Sequence, residues 1–135
     1  MSRPGPRSLD RSAAVTQLLN LAPSFRSVWD DYLAYWDQEP PGACLDFGEF
    51  ADFVHDAITD GRPLDLPAIF DFIERCLAEG DDEVQAGAST CFLENLQNKE
   101  TPRDAWVPLL GPRSIAFCQA WDAFTGVGTP GLSGS

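Results

Sequence analysis

Ser24-Phe-Arg-Ser-Val-Trp-Asp-Asp-Tyr-Leu-Ala-Tyr-Trp36 is the stretch that decides the fold. Phe25, Val28, Trp29, Tyr32, Leu33 and Trp36 recur at i, i+3, i+4, i+7, which is the spacing of one helix face. Ser24 stands where an N-cap is expected. The same period extends outward in both directions. Val15, Leu18, Leu19 and Ala22 form a shorter stripe upstream. Downstream, Pro40-Pro41-Gly42 marks a loop, and Phe47, Phe50, Val54, Ala57 and Ile58 form the next stripe, ended by Asp60-Gly61-Arg62-Pro63. Asp65 caps a helix with Pro67 in its first turn, apolar at Leu66, Ile69, Phe70, Ile73, Cys76 and Leu77, with Gly80 as its C′ residue. Asp81, Asp82 and Glu83 open another helix with acid at its positive end, burying Val84, Ala88, Cys91, Phe92 and Leu96. Thr101-Pro102-Arg103-Asp104 starts a helix that Pro108 cuts short, and Gly111-Pro112 opens a last one with Ile115, Cys118, Trp121 and Phe124 inward.

Period-two alternation of β-branched residues is absent. The expectation is an all-α domain over residues 10–125, six or seven short helices stacked as antiparallel hairpins in a HEAT-like bundle. Residues 1–9 and 126–135 are rich in Gly, Pro, Ser and Arg and read as disordered tails. A hydrophobic content of 44% with 22% charged residues is in the globular range. No apolar run approaches a membrane span, and no signal-peptide core opens the chain, so the expected location is the cytoplasm. Cys44, Cys76, Cys91 and Cys118 form no CxxC pair, and the expectation is four free, mostly buried thiols.

Charge is distributed unevenly. Asp30 to Glu83 contains sixteen Asp or Glu residues and two basic ones, Arg62 and Arg75. A field of that sign repels nucleic acid and steers basic partners. On a helical projection Asp46, Glu49, Asp52, Asp56 and Asp60 share one face opposite Phe47, Val54 and Ile58, with no Lys or Arg interspersed. They are the expected contact residues for a protein with a basic surface. Tyr35, Phe53 and Phe72 lie off their apolar stripes and are read either as second-side core or as further contacts. His55, flanked by acids, and Ser89 or Thr90 supply no catalytic motif, and no enzyme is expected. Asp30-Asp31 and Asp81-Asp82-Glu83 lack the spaced ligands of a cation loop, so neither metal nor cofactor is expected.

Asp81 to Leu96 reads Asp-Asp-Glu-Val-Gln-Ala-Gly-Ala-Ser-Thr-Cys-Phe-Leu-Glu-Asn-Leu. It resembles a family of small, acidic bacterial domains of unknown function that carry an F-L-E-N-L helix, here Phe92, Leu93, Glu94, Asn95 and Leu96. Leu110-Gly111-Pro112 matches that family's L-L-G-P start to the last helix, Phe47-Gly48-Glu49-Phe50 with Phe53 its aromatic-acidic helix, and Ile69 to Gly80 another of its motifs. The resemblance spans about Ala14 to Phe124 and does not extend to the tails. Such domains are similar to immunity proteins that accompany secreted bacterial toxins. The resemblance thus implies a non-enzymatic binding protein that occludes a cognate, basic toxin with its acidic helix face. The alternative is a helical adaptor or scaffold without a toxin partner. Independently of the resemblance, Asn95 falls on an apolar stripe, where an amide needs a partner, and is expected to tie its helix end to the following loop or to a neighbouring helix terminus.

Overall fold

The computed structural model describes residues 9–126, and among them the fold is an all-α bundle. The helices are α1 (Arg11–Leu21), α2 (Arg26–Tyr35), α3 (Ala43–Asp60), α4 (Leu66–Glu79), α5 (Asp82–Ala86), α6 (Glu94–Asn98), α7 (Arg103–Trp106) and α8 (Pro112–Thr125). A π-helical segment, Gly87–Leu93, joins α5 and α6 into one rod. No helix of the described residues is long and apolar enough to cross a membrane. The tail readings for residues 1–8 and 127–135 lie outside the described residues. Leu9, assigned to a tail by composition, is buried and bridged to Gly80, with Asp81 N donating to its carbonyl at 3.0 Å.

The local signals act largely as their chemistry requires. Asp10, Asp65 and Asp81 accept hydrogen bonds from the backbone amides of Ala13, Ala68 and Val84, which caps α1, α4 and α5. Gly61 ends α3 in the left-handed conformation at φ 72°. Ser24 does not cap α2. A 3₁₀ turn, Pro23–Phe25, precedes that helix, and no side chain bonds its first amides. Gly80 follows α4 as expected, but for a different reason. Its backbone is extended, and a Cβ there would stand 2.5 Å from the Cys76 carbonyl oxygen.

α3 is the central element. Phe47, Phe50, Ala51, Phe53, Val54 and Ala57 are all buried along it, and it packs on the π segment and on α5 and α6. The approach is close: a Cβ on Gly87 would sit 2.5 Å from the Phe47 ring. Aromatic contacts run through the centre, Phe25 on Phe50 at 5.0 Å and Phe70 on Phe92 at 5.5 Å between ring centroids. Phe53 and Phe72 belong to this core. Phe53 touches Phe25 at 5.2 Å, so neither is a surface contact residue. Phe124, expected inward, is 82% exposed, because the buried face of α8 runs through Ser114, Cys118 and Asp122 and Phe124 lies off it. Cys118 and Asp122 are the buried residues of its last turns.

The cysteines divide. Cys44 and Cys91 form a disulfide with Cα atoms 5.3 Å apart, which corrects the expectation of four free thiols. Their partnership spans 47 residues and crosses from α3 to the π segment, so no local spacing announces it. Cys76 and Cys118 are free and buried, and burial pushes both thiols up to about 12.

The L-L-G-P motif and the Ile69 to Gly80 motif acquire a structural meaning at the α4–α8 junction. Glu74 of α4 accepts from Arg113 N (2.9 Å), Ser114 N (3.0 Å) and Ser114 Oγ (2.9 Å), capping α8 from outside. Leu110 is buried at the turn, Pro112 begins the helix, and Gly111 leaves room for the carboxylate, which a Cβ would meet at 2.6 Å. Burial raises the Glu74 pKa, but the two amides, the hydroxyl and the Arg113 charge outweigh it, and the net shift is downward. The contribution is therefore present above the unfolded carboxylate range and is lost as pH falls through the lower folded value. Glu74→Gln is expected to lower stability by about 1–2 kcal/mol at neutral pH. The difference from the parent should shrink below about pH 4 in denaturant titrations. A deficit unchanged at low pH would mean the carboxylate charge is not what caps α8.

Candidate protein-binding groove

α2 and α3 lie side by side and leave a groove of about 650 Å³ between them. α2 contributes Val28, Asp31, Tyr32 and Tyr35, followed by Trp36, and α3 contributes Leu45, Gly48, Glu49 and Asp52. Each set follows i, i+3, i+4, i+7, one face of its helix, which runs from buried at Tyr32 to exposed at Tyr35 and Leu45. Asn95 of α6 joins them. The lips are apolar and exposed: Tyr35 is 79% and Leu45 45% exposed, two of the three exposed large hydrophobic side chains among the described residues. Tyr35 and Trp36 meet edge to face at 5.2 Å between centroids, forming an aromatic corner.

The groove carries three carboxylates. Asp52 accepts from Asn95 Nδ2 at 3.3 Å and faces Lys99 Nζ at 3.4 Å. Glu49 is half-buried, and no ion pair or hydrogen bond of the described residues engages it or Asp31. Burial first, and then the neighbouring Asp52 charge, hold the Glu49 carboxyl above its ordinary pKa. The site is thus acidic and partly apolar, with an unneutralised charge.

The acidic row expected on α3 is divided in the structure. Asp46 is fully buried and is no surface carboxylate. Arg11 donates to it from Nε at 2.7 Å and from Nη2 at 3.2 Å, and Tyr32 Oη donates at 2.7 Å. The reason is position: the first turn of α3 is covered by α1 and α2, and a helical projection cannot register that cover. Glu49 and Asp52 enter the groove. Asp56 and Asp60 are exposed beyond it, Asp60 with Arg62 at 3.4 Å. Of the aromatic candidates, Tyr35 alone is at the groove. Asp31, Trp36, Val28, Leu45, Gly48 and Asn95 were not among the expected contacts. The pairing of two mixed apolar and acidic i, i+3, i+4, i+7 sets, 28-31-32-35 and 45-48-49-52, is the signal that could have found most of them.

The remaining motif residues are structural. Phe92, Leu93 and Leu96 are fully buried, and burial raises the Glu94 pKa. Asn95 ties α6 to α3 through Asp52. His55 Nδ1 lies 2.7 Å from the hydroxyl of buried Thr101, and Ser89 Oγ donates to the Gln85 carbonyl within its own helix.

The family model of a domain of unknown function (DUF7674) matches residues 15–125. The chain belongs to this family. The match contains α2, α3 and α6, so every groove residue of this DUF7674 domain lies within it. No curated protein and no solved structure matches the chain.

Proposed function

We propose that this DUF7674 domain is a non-enzymatic binding protein whose α2–α3 groove receives a basic segment of a protein partner. The observation that carries the reading is the coincidence of exposed Tyr35 and Leu45 with the unneutralised, half-buried Glu49. Apolar lips supply area to bury, and an acidic floor favours a basic occupant and speeds its arrival. The sixteen acids between Asp30 and Glu83 extend the same field over the surrounding surface. The specific reading is an immunity protein that blocks the basic active site of a cognate toxin, which rests on the resemblance to such proteins. A toxin-free adaptor would use the same groove.

The test is a toxin-rescue assay with the product of the adjacent gene, paired with binding kinetics at two ionic strengths. Asp31→Lys with Glu49→Lys is expected to slow association at least about tenfold at low salt and to flatten its salt dependence. The fold should persist, since neither carboxylate has an ion-pair partner to lose. Rescue of growth by the parent and its loss in the double variant support the immunity reading. Binding without any toxic partner supports the adaptor. An association rate and salt slope equal to the parent's exclude the groove.

A further inference from the structure

Asp46 and Glu49 stand one turn apart on α3 and meet different fates. The guanidinium of Arg11 takes the first with two hydrogen bonds, and Tyr32 Oη adds a third. The second lines the open groove beside the same Tyr32, with Asp31 across on α2 and no cation of the described residues paired to it. The chain answers its buried carboxylate with arginine. We propose that the partner answers the exposed one in the same way: the groove takes an arginine side chain as its anchor, in preference to lysine.

The inference rests on the proposed function and specifies its ligand. Three features of the groove suit a guanidinium. First, the Tyr35–Trp36 corner offers aromatic surface against which a planar cation stacks. Second, Glu49 and Asp52 are three residues apart on one helix and both line the groove; Lys99 and Asn95 both meet Oδ1 of Asp52, so a forked cation with five donors can bond Glu49 and reach the other Asp52 oxygen, where an ammonium is a point charge. Asn95 holds Asp52 through its amide, which keeps that carboxylate oriented. Third, Glu49 is partly removed from water, and a guanidinium gives up its weaker hydration at less cost than an ammonium does.

The probes are amidated hexa-arginine and hexa-lysine peptides, of equal charge, titrated against the full chain by calorimetry at two salt concentrations. Hexa-arginine is expected to bind about tenfold tighter than hexa-lysine. Glu49→Gln and Tyr35→Ala should each bring it down to the lysine level. Asp56→Asn, which alters an exposed carboxylate outside the groove, should leave the preference intact. Circular dichroism confirms that each variant is folded. Equal affinity of the two peptides, weakened by Glu49→Gln, overturns the arginine inference and leaves the basic-partner reading standing. An arginine preference that survives Glu49→Gln overturns it as well, because the anchor then lies elsewhere. Absence of binding by either peptide, or binding indifferent to both groove variants, overturns the inference and the groove reading together.

Discussion

Reduction of the Cys44–Cys91 disulfide is expected to lower the unfolding free energy by about 4 kcal/mol, a large share of what a domain of this size possesses. The bond closes a loop across a sequence separation of 47 residues, from the first turn of α3 to the π segment. Cutting it restores that loop's freedom to the unfolded chain. The folded state loses little by comparison. Cys44 is exposed, whereas Cys91 lies in the core, so Cys44→Ser is combined with Cys91→Ala, which keeps a hydroxyl out of the interior. Urea unfolding of the parent with and without reductant gives the effect directly, and the double variant serves as the control that reductant should not move. A parent midpoint indifferent to reductant would refute the tie. The intact chain should also show two thiols, Cys76 and Cys118, reacting slowly until it is denatured.

Arg11→Met is expected to cost about 3 kcal/mol, the second largest single effect. Asp46 has no access to water and keeps only the Tyr32 hydroxyl once the guanidinium is gone. The cost lies in stranding a buried charge rather than in losing an attractive pair. Arg11→Met combined with Asp46→Leu should therefore recover much of the loss, and Arg11→Lys should recover part, since it restores charge without the forked geometry. A penalty below about 1 kcal/mol for Arg11→Met would mean that solvent reaches the pair and screens it. Tyr32 adds a pH signature. Its phenol titrates above the ordinary 10.0, through burial first and then through donation to Asp46. That contribution is complete below the titration of the unfolded tyrosine and is lost as pH rises beyond it.

The helices were legible because each buries one stripe, and a stripe is a local property. Asp65 with Pro67, Asp81 and Gly61 announced their termini for the same reason: a cap bonds amides within its own turn. Most of the misreadings involve distance along the chain. Asp46 looked like the first of five surface acids until Arg11, 35 positions earlier, covered it. Cys44 found Cys91 through the α3–π contact. Phe124 kept the period of Ile115, Cys118 and Trp121, but neighbouring helices cover the face of Ser114, Cys118 and Asp122 instead. Ser24 had the right chemistry for a cap, but a 3₁₀ turn placed Phe25 in that position instead. The groove was half visible. Tyr35 and Glu49 stood out singly, while their meeting needed the α2–α3 packing that no single-helix projection contains.

The π segment Gly87–Leu93 carries a consequence for how this chain can vary in length. A π turn accommodates an additional residue within a helix, so the faces before and after it are out of phase by about 100° relative to an uninterrupted α-helix. Val84 and Ala88 point inward on one phase, Leu93 and Leu96 on the other, and both are fully buried. Deleting one residue here would make a more regular helix and a worse protein. Everything from Glu94 onward would rotate, carrying Leu96 out of the core and Asn95 away from Asp52. The irregular turn therefore fixes the angular setting between the half of the rod that begins at the Asp81 cap and the half that reaches the groove.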